Sequence, residues 1–392
     1  MKYNFDEHIN REGTACFKYD WRKEIFGRDD VLPMWVADMD IKTPKFITNA
    51  IRNRLEHEVL GYTFKPDGFF ESIIKWNKKR NQWDIDKEWI SFSPGIVPAL
   101  NMMVMGLTNP GDKVVVQTPV YFPFFSAVTN HHRKLVKNPL KLVNGRYEMD
   151  FVQLQEVMDD TVKLFILSSP HNPTGNVWKK DELQKLAEIC IKNGTILISD
   201  EIHSDLIFAG HKHVPLASVS DEIAEQTITC MAPSKTFNLA GLSTSYIISK
   251  NKKLRNTFNK VLENVHVGMG NIFGNVALEA AYTHGEQWVD ELMQYLQSNV
   301  DILDAFLKSN MPEIKMIAPE GTYLVWLDFR AWNMSNSELK DFLIHKAKLG
   351  LSDGPIFGKD GSGFQRINIG CPSDVLKQAL HQLKEAWEQQ NI

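Results

Sequence analysis

Four apolar runs are each followed at once by polar or aromatic side chains that could take part in chemistry. The runs are KVVVQ (113–117), KLFILSS (163–169), TILIS (195–199) and TITCMA (227–232). Because the carboxyl ends of parallel strands meet at one edge of a sheet, we expect an amide, an acid, an amine and a phenol in one crevice. The residues concerned are Tyr121, His171, Asn172, Asp200, His203, Ser234 and Lys235.

This combination of residue types suits pyridoxal phosphate. The cofactor needs an amine that forms an imine with its aldehyde, a carboxylate that keeps its ring nitrogen protonated, and a flat side chain that stacks on its ring. Lys235 supplies the amine, and burial should lower its pKa and free its lone pair. Asp200 supplies the carboxylate, Asn172 a hydrogen bond to the ring oxygen, and Tyr121 the stacking surface. His203 is expected near the ring, either as a polar neighbour or as a modulator.

The phosphate of such a cofactor needs a separate anion site. The stretch SPGIVPALNMMVMGL (93–107) predicts a helix that begins near Gly95, Ile96 and Val97. Backbone N–H groups at the start of a helix bind anions well, because they lack partners within the helix. Ser234 could add a hydroxyl to this site.

The order of the apolar runs predicts an open α/β sheet. These four runs, and TSYIIS (244–249), are apolar throughout, as parallel strands covered on both faces should be. DELQKLAEICIKNG (181–194) lies between two of them and has helical spacing, with Asp181 and Gln184 as a capping box and Gly194 as its stop. A strand, a helix and a strand in that order give a right-handed βαβ unit.

The chain is long enough for two domains. The fold class expected is α/β, with a large domain built on a mostly parallel sheet covered by helices and a smaller α+β domain. We place the large domain at residues 46–284 and the small one at residues 1–45 and 285–392. A long amphipathic helix, a strand over 322–329 and a closing helix mark the second segment of the small domain.

The composition argues against several other classes of protein. The 44 basic and 48 acidic residues give a net charge of −4 without long runs of one sign, so neither nucleic acid nor a membrane surface is an expected partner. The four cysteines lie far apart, and no spacing suggests a metal site or a disulfide framework. With no apolar signal segment at its beginning, the chain is expected in the cytoplasm.

Seven motifs, in order along nearly the whole chain, resemble the fold-type I pyridoxal-phosphate enzymes of the aspartate aminotransferase superfamily. Within that superfamily the chain is similar to the cystathionine β-lyase branch, the MalY/PatB-type C–S lyases. The motifs are MWVADMD (34–40), GYTF (61–64), PVYFPF (119–124), PHNPTG (170–175), SDEIHSDL (199–206), APSKTFNLAG (232–241) and GSGFQRINIGCP (361–372).

The resemblance implies the fold-type I architecture, in which the large domain has a mostly parallel seven-stranded sheet sandwiched by helices. It also implies the cofactor roles already given and two further ones. Arg366 would bind the α-carboxylate of an amino-acid substrate with its planar guanidinium. Tyr62 would reach the cofactor phosphate and substrate of the other subunit, which makes the expected active unit a homodimer. The implied reaction is α,β-elimination on L-cystathionine, L-cysteine or related S-substituted cysteines, in sulfur amino acid metabolism. After the substrate displaces Lys235, the freed amine would take the Cα proton, and Tyr121 or Lys235 would assist the leaving thiolate.

Two other functions stay open at this point. An aminotransferase of the same fold is the nearest alternative, and Ser243 counts mildly against it because many aminotransferases carry an arginine eight residues after the lysine. A regulatory or interaction protein with incidental lyase activity is the other. Single residues also have structural alternatives. Tyr121 could be a core aromatic and Asn172 a turn former, and Trp35 and Asp38 could pack in the core instead of lining the substrate entrance.

Overall fold

The computed structural model describes residues 2–390, which form a large mixed sheet, a smaller antiparallel sheet and helices that cover both. The strands are β1 (Leu32–Pro33), β2 (Ile90–Ser93), β3 (Lys113–Val116), β4 (Lys134–Lys137), β5 (Lys141–Val143), β6 (Arg146–Glu148), β7 (Val162–Ser168), β8 (Ile196–Asp200), β9 (Thr227–Met231), β10 (Ser245–Ile248), β11 (Lys315–Ile317), β12 (Leu324–Asp328), β13 (Leu349–Gly350), β14 (Ser352–Asp353) and β15 (Phe364–Asn368).

The helices lie mainly between the strands of the large sheet and after its last strand. They are α1 (Phe17–Asp20), α2 (Arg22–Phe26), α3 (Lys45–Leu55), α4 (Asp67–Asn81), α5 (Ile96–Leu107), α6 (Pro123–Thr129), α7 (Phe151–Val157), α8 (Lys180–Lys192), α9 (Asp221–Glu225), α10 (Lys252–Asn264), α11 (Ile272–His284), α12 (Glu286–Asn310), α13 (Asn336–Asp341) and α14 (Ser373–Gln390). Among residues 2–390, none of these helices combines the length and the apolar character needed to cross a bilayer.

The large sheet has seven strands in the order β2-β10-β9-β8-β7-β3-β4. Six of them run in one direction, and β10 is antiparallel to both of its neighbours. The expected mostly parallel seven-stranded sheet is therefore confirmed. The prediction that the run at 244–249 is parallel is wrong, because β10 follows β9 through a short loop that reverses the chain.

Both faces of this sheet are buried, which explains its continuous apolar runs. In β3, Val114 and Val116 belong to a core shared with α5, α6 and α10, whereas Val115 between them belongs to a core shared with α7 and α8. In β7, Ile166 belongs to the first of these cores and Phe165 to the second. Since successive side chains point to opposite faces, an apolar residue at every position means that helices cover both sides.

Two strands of the large sheet were not identified from the sequence. β2 has only four residues and β4 lies at the sheet edge, where only its two central residues are partly buried. An edge strand exposed in this way carries a weaker apolar pattern than a central one.

The predicted helix between β7 and β8 is present as α8, but its predicted start is wrong. The cap is the carboxylate of Glu182, which accepts a hydrogen bond from the backbone N–H of Lys179 at 2.7 Å, and the pair Asp181 and Gln184 has no such role. Gly194 ends the helix in the left-handed region, with φ +65°, as predicted.

The smaller sheet has the order β11-β12-β15-β14 and is antiparallel throughout. It packs with the long helices α12 and α14 in one core, to which residues such as Met39 and Phe69 from earlier in the chain also belong. This arrangement places Arg366, in the middle of β15, near the carboxyl edge of the large sheet through contacts described below.

Two glycines allow the loop after β14 to fold back on itself. A Cβ on Gly354 would lie 2.0 Å from the carbonyl oxygen of Gly361, and a Cβ on Gly361 would lie 2.2 Å from that of Gly354. The loop carries Phe357, whose ring lies 4.9 Å from the guanidinium carbon of Arg366. The close approach of the two backbones therefore supports the position of Arg366.

We predict that Gly354→Ala lowers the free energy of unfolding by ~3 kcal/mol, because the added methyl group meets backbone that has no room to move. Urea denaturation measures the change. Gly241→Ala is the matched control, since a Cβ at Gly241 meets no atom within 4 Å. Equal stability of the two variants would contradict the prediction.

Candidate active site

One cavity at the carboxyl edge of the large sheet brings together most of the residues singled out from the sequence. It has a volume of about 210 Å³ and lies where β7, β8 and β9 end and α5 begins. Eight predicted site residues line it: Ile96, Val97, Tyr121, Asn172, Asp200, His203, Ser234 and Lys235. Arg366 is bonded to the cavity wall, whereas Tyr62 and His171 lie outside it.

Lys235 enters the cavity from the loop that follows β9. Its Nζ donates a hydrogen bond to the carbonyl oxygen of Ala37 at 2.7 Å, and Tyr323 Oη donates to the same oxygen at 3.0 Å. Burial lowers the pKa of Lys235 to about 8, against the opposing effect of Asp38 and Asp200. An amine with this pKa is partly neutral near neutral pH, so it can act as a nucleophile or a base.

Asp200, the last residue of β8, is a buried carboxylate without a cation beside it. Its Oδ1 accepts a hydrogen bond from the backbone N–H of Ile202 at 3.2 Å, and within residues 2–390 no ion pair includes it. Burial raises the pKa of Asp200 to about 7. Lys235 opposes this shift without cancelling it. A positive charge in direct contact with the carboxylate would reverse the shift, and a protonated pyridine nitrogen fits that requirement.

Arg366 is a buried cation that also lacks an opposite charge. Its guanidinium donates to Asn172 Oδ1 at 2.8 Å, to the carbonyl oxygen of Trp35 at 2.8 Å and to Ser352 Oγ at 3.1 Å. Its Nε has no partner among the described residues, and burial lowers the pKa of Arg366 to about 10. A guanidinium held in this way is suited to a small carboxylate.

The start of α5 forms the anion-binding end of the cavity. Gly95 caps the helix, and the helix begins at Ile96, as predicted. Three consecutive hydroxyl residues, Ser243, Thr244 and Ser245, line the same cavity. Free N–H groups at a helix start and nearby hydroxyls suit a phosphate, so this end fits the phosphate of the expected cofactor.

Two rings complete the wall. Tyr121 is partly buried, and burial raises the pKa of its phenol. His203 is buried with its edge against Tyr323, and burial lowers its pKa well below the usual value. His203 Nδ1 is buried and has no hydrogen-bond partner among residues 2–390. The donors, acceptors and charges present therefore fit pyridoxal phosphate.

The remaining candidates lie elsewhere. His171 is fully buried, with Nδ1 2.9 Å from Thr174 Oγ1. Tyr62 is 97% exposed in a segment without regular structure, so a single chain does not bring it to the cavity. The side chains of Trp35 and Asp38 do not line the cavity either.

Sequence reasoning missed two contributors, Ala37 and Tyr323. Ala37 acts through a backbone carbonyl, which leaves no signal in the residue type. Tyr323 lies in an apolar run that indicates a buried strand, and its hydroxyl meets the Ala37 carbonyl 286 residues earlier in the chain. Within residues 2–390, no group of His, Cys, Asp and Glu is arranged to hold a metal ion.

Comparison with known proteins gives a consistent result. Residues 37–383 match the family described as aminotransferase class I and II. The cystathionine β-lyase PatB of Bacillus subtilis (strain 168) is 44% identical over 98% of this chain and 99% of its own length.

Two solved structures extend the likeness to the fold. A PLP-bound putative aminotransferase from Clostridium difficile 630 superposes with a TM-score of 0.97, at 45% identity over 98% of this chain and 99% of its own. A PLP-bound C–S lyase from Staphylococcus hominis superposes with a TM-score of 0.91, at 37% identity over 98% of both chains.

We predict that Asp200 makes the stability of the ligand-free protein depend on pH. Its pKa is about 7 in the folded chain and 3.8 as the ordinary value, so the folded state binds the proton more tightly. Stability is therefore lost as the pH rises from about 4 to about 7, by up to ~4 kcal/mol, and Asp200→Asn should not show this loss.

Urea denaturation of the wild type and of Asp200→Asn at a series of pH values measures the difference. Asp84→Asn, which alters a carboxylate that is 78% exposed, serves as the control and should follow the wild type. If the Asp200→Asn and wild-type curves run parallel across this pH range, Asp200 is not a buried acid of raised pKa.

Proposed function

The chain belongs to the class I and II aminotransferase family and to the branch that includes the cystathionine β-lyase PatB, and from that premise we propose that it is a pyridoxal-phosphate-dependent C–S β-lyase. Its substrates are L-cystathionine, L-cysteine or related S-substituted cysteines. The products are pyruvate, ammonia and a thiol or sulfide. The observation that supports this most is a cavity with the amine of Lys235 and the unpaired carboxylate of Asp200, bordered by the unpaired guanidinium of Arg366.

Residues of four elements would hold the cofactor. Lys235 would bind its aldehyde, and Asp200 would bind its ring nitrogen and keep that nitrogen protonated. Asn172 would donate its amide N–H groups to the ring oxygen, because its Oδ1 is already used by Arg366. The start of α5 and the hydroxyls of Ser234 and Ser243 would bind the phosphate, since the hydroxyls of Thr244 and Ser245 already donate to backbone carbonyl oxygens.

The reaction itself needs the cofactor and two contributions from the protein. When bound, pyridoxal phosphate supplies a ring that withdraws electrons from the substrate Cα. Arg366 binds the substrate carboxylate and so fixes the orientation of the Cα–H bond. Lys235 Nζ takes the Cα proton, and its lowered pKa makes the neutral amine available near neutral pH.

Elimination then breaks the Cβ–S bond, whose electron pair leaves with the sulfur. Either Tyr121 or the protonated Lys235 is positioned to assist the departing thiolate, since both line the cavity. The raised pKa of Tyr121 keeps its hydroxyl protonated. One water is consumed as the remaining three-carbon fragment is released as pyruvate and ammonia, so the atoms balance.

An aminotransferase is the second candidate, because the solved structure from Clostridium difficile is described as a putative aminotransferase. The same lysine would serve, and the two reactions differ in where the proton is returned. Ser243 lines the phosphate end of the cavity, so this end carries a hydroxyl at a position where many aminotransferases have an arginine. We favour the lyase, since two relatives named for that activity, PatB and the C–S lyase from Staphylococcus hominis, each match nearly the whole chain.

The proposed active unit is a homodimer in the cytoplasm. Tyr62 lies among other exposed apolar side chains, Val59, Leu60 and Phe64, on a segment that the rest of the chain does not cover. A contiguous exposed apolar segment of this kind is typical of an interface. A second copy of the chain would bury it and place Tyr62 at the phosphate and substrate end of the partner's cavity.

We predict that the purified protein, loaded with pyridoxal phosphate, releases pyruvate from L-cystathionine without a keto acid. Lys235→Ala should lower this rate by ~10³-fold or more, because the base is lost. Lys250→Ala, at a lysine paired with Asp221 on the surface, is the control and should keep the wild-type rate. A coupled lactate dehydrogenase assay measures pyruvate. Amino-group transfer to a keto acid, with no pyruvate from any S-substituted cysteine, would establish the aminotransferase instead.

We predict that Tyr62 works across the dimer interface. Tyr62→Ala should be at least about tenfold slower than the wild type, and Lys235→Ala ~10³-fold slower or more. A hybrid dimer of the two variants, purified through two different tags, carries one intact site because the first chain supplies Lys235 and the second supplies Tyr62. Its pyruvate release should be about half that of the wild type. Hybrids no faster than their parents would place Tyr62 outside the partner's site.

A further inference from the structure

The segment at residues 35–41, called here the strap, contacts both cations of the site through its backbone. The carbonyl oxygen of Trp35 accepts from Arg366, and that of Ala37 accepts from Lys235. These contacts measure 2.8 and 2.7 Å. A displacement of the strap would therefore move the acceptors of the amine and the guanidinium together.

The intervening carbonyls of the strap bind the scaffold instead. Asn368 Nδ2 donates to the carbonyl oxygens of Val36 and Asp38, each at 2.6 Å. Asn238 binds Met39 twice, with its Nδ2 2.8 Å from the carbonyl oxygen and its Oδ1 3.0 Å from the N–H. From Trp35 to Asp38, successive backbone carbonyls thus bind in turn a cation of the site and Asn368.

The two carboxylates of the strap enter a cluster of four charges. Arg11 binds Asp38 at 2.7 Å and Asp40 at 2.6 Å, and also donates to the carbonyl oxygen of Met39 at 3.3 Å. Lys18, which is only 1% exposed, binds Asp40 at 2.7 Å. Two positive and two negative charges balance, which is the condition under which buried ions are tolerated.

None of these four side chains lines the cavity, yet Arg11 is the group that joins both strap carboxylates to the backbone between them. We propose that Arg11 is a positioning residue for the lyase reaction: through Asp38 and Asp40 it fixes the strap carbonyls that hold Arg366 and Lys235. This inference rests on the proposed function for its kinetic consequences, while the placement of Lys235 can be measured without turnover.

Removal of the Arg11 side chain has two consequences. The strap loses its tie at Asp38 and Asp40, so Arg366 binds the substrate carboxylate less well and KM rises. The negative charge of Asp38 also becomes less compensated. Asp38 and Asp200 already raise the pKa of Lys235, whereas Arg366 lowers it. The pKa of the Lys235 amine therefore increases, and the acid limb of the kcat profile, which reports the substrate complex in which that amine is free, moves to higher pH.

Three variants test the proposal in the loaded enzyme. Arg11→Met should raise KM for L-cystathionine by about tenfold, lower kcat and shift the acid limb upward. Arg11→Lys keeps the positive charge but lacks the planar guanidinium that binds two carboxylates. Its pH profile should therefore lie closer to that of the wild type than its KM does. Arg28→Met, at an arginine of the same N-terminal region that pairs with Asp30, should leave all three quantities unchanged.

A second measurement does not depend on catalysis. Competitive labelling of the cofactor-free protein with acetic anhydride, followed by mass spectrometry of the peptide that contains Lys235, gives the pKa of its amine. The pKa should be higher in Arg11→Met than in the wild type and in Arg28→Met. Should the Arg11→Met chain fail to fold, Arg11→Lys still decides the matter through KM.

The outcomes separate the two proposals. Unchanged KM, pH profile and Lys235 pKa in folded Arg11→Met would overturn the role of Arg11. A loss of melting temperature alone, with kinetics and labelling as in the wild type, would do the same, because it would show a purely structural role. A wild type that releases no pyruvate, together with a raised Lys235 pKa in Arg11→Met, would refute the lyase and support the positioning of Lys235.

Discussion

Three charged side chains meet around one cavity without opposite charges within ion-pair distance, and much of the surrounding structure follows from that constraint. Lys235, Asp200 and Arg366 are each held by uncharged hydrogen-bond partners. Burial moves all three pKa values toward the neutral forms, to about 8, about 7 and about 10. A site of this kind is suited to a ligand that brings a cation, a carbonyl carbon and a carboxylate together.

A charge can remain unpaired in a protein only if the scaffold prevents the side chain from moving to water. Here the large sheet provides that restraint, because residues such as Val115 and Val116 of β3 are buried on opposite faces by different helices. Asp200 ends the central strand β8, so its backbone is fixed by β7 and β9 on either side. The strands thus hold the carboxylate inside the protein, although the carboxylate by itself is better solvated in water.

The other side of the cavity is built differently. Arg366 comes from the smaller sheet, and the strap that touches it comes from the beginning of the chain. These parts are joined by side-chain to backbone hydrogen bonds and by single backbone bonds, from Asn368 N–H to the carbonyl oxygen of Met34 at 3.0 Å and from Asp40 N–H to that of Gly370 at 2.8 Å. Because the strap lacks the continuous ladder that fixes a central strand, its side-chain anchors, Arg11 among them, contribute to the geometry of the site. The exposed Tyr62 indicates that a further part of the site comes from outside the single chain.

The sequence by itself determined the α/β class and the strands of the large sheet that are buried on both faces, because local patterns set these features. It also singled out Lys235, Asp200 and Asn172 from their places after strand ends, and the structure brings these three residues to one cavity. The antiparallel direction of β10 and the cap of α8 at Glu182 needed the structure. The roles of Ala37 and Tyr323 were decided only by tertiary contacts, since a backbone carbonyl has no residue signature and its donors lie about 200 and 290 residues away along the chain. Local sequence fixes which groups are present, and long-range packing decides which of them touch.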